Sequence, residues 1–374
     1  MALAKHGIAV DVIGSDGLDG PEMRSTPGVN FHLFQSMPRP GWPLWRKLAS
    51  IAAYYLRLGR HLAVSPTRIV HVLWNNKLVY LDRTVMMAAL RLAGKRSVLT
   101  AHNVNTKKRD GRDSWLNRLT LRCQYWLADG VFVHTESAAR ELRAEFGVPA
   151  ERTHVIPFGI NNSLPPKGLD SRTAKQMLGL SEEERVILFY GSIRPYKGLH
   201  FLIDAFELVT ADDASPFRLI VTGEVKKEET EYWKRLSERI ARSPAARRIS
   251  LRTEFIPDAE TECYFMAADV LALPYTFVYQ SGVLFLGYNY GLPVVATRVG
   301  SLEDEVIAGE TGFVCEPGSA ESLAAALREY FASDLYRALP ERRRHIRSYA
   351  AETYSWDRVA QRTVAVYSEL VKRQ

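Results

Sequence analysis

At 374 residues, with 47% hydrophobic and 24% charged positions, the chain exceeds one core of ordinary size and has the composition of a folded two-domain protein. It contains no run of 18 or more uncharged apolar residues, so no membrane-spanning helix is expected, and Met1 to Val12, with Lys5, His6 and Asp11, does not read as a secretory leader. The net charge of +7 suits nucleic acid, anionic lipid or a phosphorylated small molecule. The cations are spread along the chain without a nucleic-acid-binding signature, which sets nucleic acid aside.

Short β-branched runs alternate with helical patterns from the start. The runs are 7–14, 29–34, 68–74, 96–102, 130–135 and 153–159, with helices predicted near 44–64, 80–94, 114–128 and 136–146. Buried runs joined by amphipathic helices predict βαβ units and a parallel sheet. The chain opens on ALAKHG, which reads as the end of a helix entering the second strand of such a domain. A central first strand is therefore expected to be missing, with a poorly packed groove beside 8–13 that an upstream start would fill, the alternative being a genuinely degenerate domain.

The helix predicted over 44–64 has two readings. Leu44, Leu48, Ile51, Tyr55 and Leu62 form a face that would pack on the sheet. The wider segment 37–63 also mixes Trp42, Trp45, Tyr54 and Tyr55 with Arg39, Arg46, Lys47, Arg57 and Arg60, which suits a membrane interface.

Asn161 to Asp170 reads NNSLPPKGLD, a linker composition, after which the alternation restarts with runs at 185–191, 217–223, 249–257, 268–274 and 293–300. The predicted organisation is a doubly wound domain over 1–160, a linker over 161–172, a second doubly wound domain over 173–354 and a C-terminal helix over 355–374 crossing back to the first domain. Ligands are expected in a cleft beyond the carboxyl ends of the strands. Cys123, Cys263 and Cys315 are scattered without metal-ligand spacing, which fits a reducing cytoplasm and argues against a structural zinc site.

Two stretches carry chemistry. In FYGSIRPYKGLHFLIDAF (189–206) a strand ends before Gly191, Arg194 and Lys197 follow, and Gly198 opens a helix. Two cations between a strand end and a helix start make a diphosphate site, Arg as a planar donor fork and Lys as a point charge. In LPYTFVYQSGVLFLGYNYGLPVVATRVGS (273–301) Ser281 is placed to cap a helix, and the N–H groups of Gly282 and Val283 would face an anion.

Taken in order, the pieces Gly191–Gly198, Phe255–Asp258, Ala267–Tyr275, Gln280–Val283, Gly291–Thr297 and Glu310–Phe313 resemble family-4 glycosyltransferases across the whole second half. In the first half the likeness is thinner and rests on LTAHNV (99–104), 133–149 and HVIPFGI (154–160). The resemblance implies a GT-B fold of two parallel-sheet domains facing a cleft. It also implies transfer of a sugar from a nucleoside-diphosphate sugar to an acceptor hydroxyl with retention of configuration and without a metal.

On the same resemblance Arg194 and Lys197 grip the donor diphosphate, and Ser281, Gly282 and Val283 offer it backbone donors. Gly191, Gly223 and Ile256 lie near the nucleotide, and His102 stands near the reacting sugar. The family often carries two glutamates eight positions apart; alignment on Gly291 puts Val278 and Leu286 there, and neither can accept a hydroxyl hydrogen bond. With Q-S-G-V the chain resembles a subset of the family, and Gln280, Ser281 and Glu303 are candidate replacements. No D-x-D pair occurs, and Asp212–Asp213 follows a predicted helix.

The implied role is surface polysaccharide or glycolipid synthesis in the cytoplasm, with a sugar or lipid-linked acceptor and an anionic membrane surface as further partners. The alternatives are a non-catalytic nucleotide-sugar-binding scaffold and, less favoured by the R-P-Y-K-G and Q-S-G-V pair, a sugar-nucleotide epimerase.

Overall fold

A computed structural model describes residues 1–35, 41–109, 113–160, 166–211 and 216–372. Residues 161–165 of the predicted linker, Arg39 and Asp212–Asp213 lie outside the described residues. The chain divides into two compact units, Met1–Phe158 with Trp356–Gln374, and Gly159–Ser355.

The first unit holds β1 (Val10–Ser15), β2 (Val29–Gln35), β3 (Ile69–Val72), β4 (Arg96–Thr100), β5 (Gly130–Val133) and β6 (Thr153–Val155). Every predicted run became a strand, and all pair in parallel. They form two sheets: β3-β4-β5-β6, and a separate pair β1-β2. Among the described residues no strand joins β1 to β3. All six residues of β1 stay half-buried, whereas β5 is buried throughout, as expected for a strand covered on both faces. The Glu136–Phe146 helix shows how local chemistry sets the ends. Thr135 accepts from the N–H of Ala138 at 3.0 Å, and Gly147, at φ 69°, closes the C-terminus where a side chain would be strained.

The Leu44–Val64 helix forms as predicted, but its first turns do not pack. Leu44 is 72% exposed and Leu48 57%, so the inward face expected from their spacing is not made there. Helical periodicity fixes which residues share a face but not whether a partner covers it; only Leu58 of this helix is fully buried.

The C-terminal Trp356–Lys372 helix belongs to the first unit. Its Val366, Tyr367 and Leu370 pack with Val98, Phe132 and Ile156 of the four-stranded sheet, and His6 bonds Asp357 at 2.8 Å. No described helix is long and apolar enough to cross a membrane.

The second unit is one parallel sheet in the order β12-β11-β10-β7-β8-β9. Its strands are β7 (Arg185–Tyr190), β8 (Phe217–Thr222), β9 (Ile249–Arg252), β10 (Val270–Leu273), β11 (Val294–Thr297) and β12 (Gly312–Cys315). β12 had no apolar run to announce it. Ile187, Phe189, Leu219, Val221 and Val270 pack with Leu202, Ile203 and Phe206 of the Leu199–Val209 helix and Leu327 of the Ala320–Ala332 helix.

Candidate functional site

In the second sheet the chain winds outward from β7 through β8 to β9, then returns to the other side of β7 and runs through β10 to β12. β7 and β10 are therefore neighbours whose following connections diverge. The carboxyl ends of such a pair are where open α/β sheets bind ligands. The two sequence stretches singled out for their chemistry are the loops that leave these two strands.

Glycines let the loops meet. Gly198 has φ 67°, and a Cβ there would stand 1.8 Å from the carbonyl oxygen of Pro274. Gly223, after β8, would put a Cβ 2.1 Å from the carbonyl oxygen of Gly191. The loops are tied by the Thr276 N–H donating to Tyr196 O at 2.8 Å. A Cβ on Gly191, at φ 100°, would lie 2.9 Å from Lys197 Nζ and 3.4 Å from Val283 Cγ2. Lys197 and the first turn of the Gly282–Asn289 helix thus converge over one glycine.

Lys197 is buried at 7% exposure, in a short turn after Arg194 rather than on a solvated loop. Its ammonium stands 5.6 Å from the Tyr275 ring centroid. Among the described residues neither Lys197 nor Arg194 forms an ion pair with a carboxylate. Burial, then the neighbouring Arg194 charge, pulls the Lys197 pKa down to about 8. A buried cation without a counter-ion is costly, and a bound anion removes that cost.

Ser281 caps the Gly282–Asn289 helix, its Oγ accepting from the N–H of Leu284 at 3.4 Å. That leaves the N–H groups of Gly282 and Val283, which have no acceptor inside the helix. Gly282 is exposed, open to a ligand. Ile256, after β9, is buried. Glu303 is exposed and faces Arg298 at 3.5 Å, so its carboxylate is engaged with a neighbouring side chain.

The more unusual acid is one the sequence did not single out. Glu305 is buried, accepts from Ser301 Oγ at 2.9 Å, and is pushed up to about 8 by burial against the opposing pull of Ser301 and Gln280. The Gln280 side chain acts on this carboxyl, but its Nε2 completes no hydrogen bond of normal geometry. No spacing in the sequence signals Glu305, because only the fold buries it.

In the first unit His102 follows β4. His134 Nδ1 lies 3.0 Å from the carbonyl of Ile156, and His134 Nε2 lies 3.0 Å from His102 Nδ1. The carbonyl only accepts, so His134 carries its proton on Nδ1 and accepts through Nε2. His102 must then carry its proton on Nδ1, leaving Nε2 as a lone pair, and this atom is buried without a partner. Trp74 stacks on the ring at 4.0 Å between centroids. Burial, and after it the repulsion that a protonated His134 would add, holds His102 down to about 4, so it is neutral at pH 7. His134, the group that fixes the tautomer, was not among the predicted site residues.

Residues 1–164 match the family described as Glycosyltransferase Family 4, and residues 184–333 match Glycosyl transferases group 1. Each half thus matches a model of a glycosyltransferase domain. The chain is 31% identical over 248 residues to a D-inositol 3-phosphate glycosyltransferase of Geodermatophilus obscurus, covering 64% of this chain and 52% of that protein. The match thus spans about half of that relative's length. Among solved structures, sucrose-phosphate synthase from Thermosynechococcus elongatus aligns with a TM-score of 0.77 at 20% identity, over 100% of this chain and 92% of the other. Anabaena HepE in complex with UDP and glucose aligns at 0.74 and 20% identity, over 98% and 94%. The fold is GT-B, as the resemblance implied.

Proposed function

We propose that this protein is a retaining glycosyltransferase using a nucleoside-diphosphate sugar. The observation that carries the reading is Lys197, a buried ammonium without a carboxylate partner, beside Arg194 and the first turn of the Gly282–Asn289 helix at the switch point of the sheet.

The chemistry follows from that arrangement. As the glycosidic bond to the donor breaks, negative charge accumulates on the leaving diphosphate. Arg194 and Lys197 neutralise it, and the N–H groups of Gly282 and Val283 add two fixed dipoles that need no reorganisation. These groups do the work that a metal does elsewhere, so the reaction needs none. Gly191, Gly223 and Ile256 border the nucleotide. Gln280, Ser281 and Glu303 take the place of the absent glutamates toward ribose and sugar. His102 Nε2 accepts a hydrogen bond from a sugar hydroxyl; held neutral, it orients rather than removes a proton. HepE, on the same fold, binds UDP and glucose, which makes UDP-sugars the first donors to test.

For the acceptor, the exposed Leu44, Trp45 and Leu48 with Arg46 and Lys47 support a peripheral contact with an anionic membrane and a lipid-linked acceptor, on the cytoplasmic side. The test of the reaction is a thermal-shift screen against UDP-, GDP-, ADP- and dTDP-sugars, followed by nucleotide release with the stabilising donor. Stabilisation by one donor with release on adding acceptor is expected. Stabilisation without release under any acceptor leaves a binding protein instead.

A further inference from the structure

Asp11 on β1, His32 on β2 and His61 in the last turn of the Leu44–Val64 helix come together in the first unit, and none of the three has a role above. One ligand atom from each lies within 4.8 Å of the others. The Nε2 atoms of His32 and His61 each stand 3.5 Å from a different oxygen of the Asp11 carboxylate. We propose that these three side chains form a binding site for a zinc-class divalent ion, with water as the fourth ligand.

The spacing supports this. Tetrahedral coordination at about 2.0–2.1 Å sets neighbouring ligand atoms roughly 3.3–3.4 Å apart. Each imidazole stands 3.5 Å from its own oxygen of the Asp11 carboxylate, near that edge for whichever oxygen ligates and long for a hydrogen bond. His32 Nε2 is buried and completes no hydrogen bond. Asn30 Nδ2 donates to Asp11 Oδ1 at 3.0 Å, the kind of outer contact that orients a carboxylate ligand. Among the described residues no lysine or arginine pairs with Asp11. Two imidazoles and one carboxylate, without a thiolate, suit zinc, cobalt or nickel rather than calcium or magnesium.

The site also answers a mechanical need. β1 and β2 form a two-stranded sheet outside the main one, and two strands alone are marginally stable. The Leu44–Val64 helix packs against β2 with only Leu58 fully buried. An ion held by β1, β2 and that helix ties all three together. Cysteine spacing argued against structural zinc, but these ligands lie 21 and 29 residues apart on three elements and leave no local pattern to read.

The experiment uses the full chain without an affinity tag, stripped with EDTA. Co²⁺ addition is followed by visible absorption and Zn²⁺ addition by calorimetry and thermal unfolding. The expected result is one ion per chain, four-coordinate cobalt bands and a thermal midpoint raised by Zn²⁺. His32→Gln and His61→Gln should each weaken binding at least tenfold while circular dichroism shows the fold retained, and His102→Gln should not. Absence of saturable binding, binding that both variants retain, or loss that follows His102→Gln instead overturns the site.

Discussion

The ammonium of Lys197 rests over Gly191 so closely that a methyl group there would stand 2.9 Å from Nζ. A Gly191→Ala chain must move the cation and also hold alanine at φ 100°, a conformation costing roughly 1–2 kcal/mol. The thermal midpoint should fall by a few degrees and kcat/KM for the donor by at least tenfold. Unchanged donor kinetics in a folded variant would show that Lys197 does not act from this position.

Lys197→Met and Arg194→Met separate charge from volume. A charge-assisted hydrogen bond contributes about 1.5–3 kcal/mol, so each should lower kcat/KM by about 10- to 100-fold. Stability should respond oppositely to a normal core truncation: Lys197→Met removes a buried unpaired charge and should leave the thermal midpoint level or raised. Loss of stability together with unchanged turnover would make Lys197 a structural residue.

His134 should matter through His102. His134→Leu removes the acceptor for His102 Nδ1–H and frees the other tautomer, which presents a donor where the lone pair stood. Turnover should drop about tenfold, the equivalent of roughly 1.4 kcal/mol and so of one ordinary hydrogen bond. With His102 held near 4, the wild-type rate should show no histidine titration attributable to it above pH 5. An inflection near 6.5 that disappears in His102→Gln would contradict the assignment.

These sites differ in how they were legible. Strands β1 to β11 were readable because each carries a β-branched or apolar run bounded by turn residues, and Gly191, Arg194, Lys197 and Ser281 because turns and caps demand particular residues in order. β12 was not, since four residues opening on Gly312 give no period. The exposure of Leu44 and the burial of Lys197 and Glu305 depend on which partner arrives from elsewhere in the chain, which periodicity does not encode. His134 and Asp11 acquire their meaning only from residues 20 or more positions away.

The Trp356–Lys372 helix should hold the first unit together. Leu370, buried against Val98, Phe132 and Ile156, is replaceable by alanine only at the cost of a cavity, about 2–5 kcal/mol. Urea unfolding of Leu370→Ala should show that loss. A variant within 0.5 kcal/mol (roughly the range of surface substitutions) would mean that the helix contributes little to the unit.

Glu305 sets a pH dependence whose sign can be worked out. Its ordinary pKa is 4.5, and in the fold, buried and with Asp304 adding repulsion, it rises to about 8. The native state therefore holds a proton that the unfolded chain has released between these values. Stability rises with pH only where the unfolded state binds more protons, and here it binds fewer. The contribution of Glu305 is full below pH 4.5 and lost as the pH climbs through 8. Glu305→Gln keeps the shape and the acceptor for Ser301 Oγ but has no proton to lose. Urea unfolding at pH 5, 6.5 and 8 should show wild type losing stability relative to the variant at each step, with little further change above pH 9. Parallel curves for the two proteins would mean that Glu305 ionises normally, with water or a ligand reaching the carboxyl.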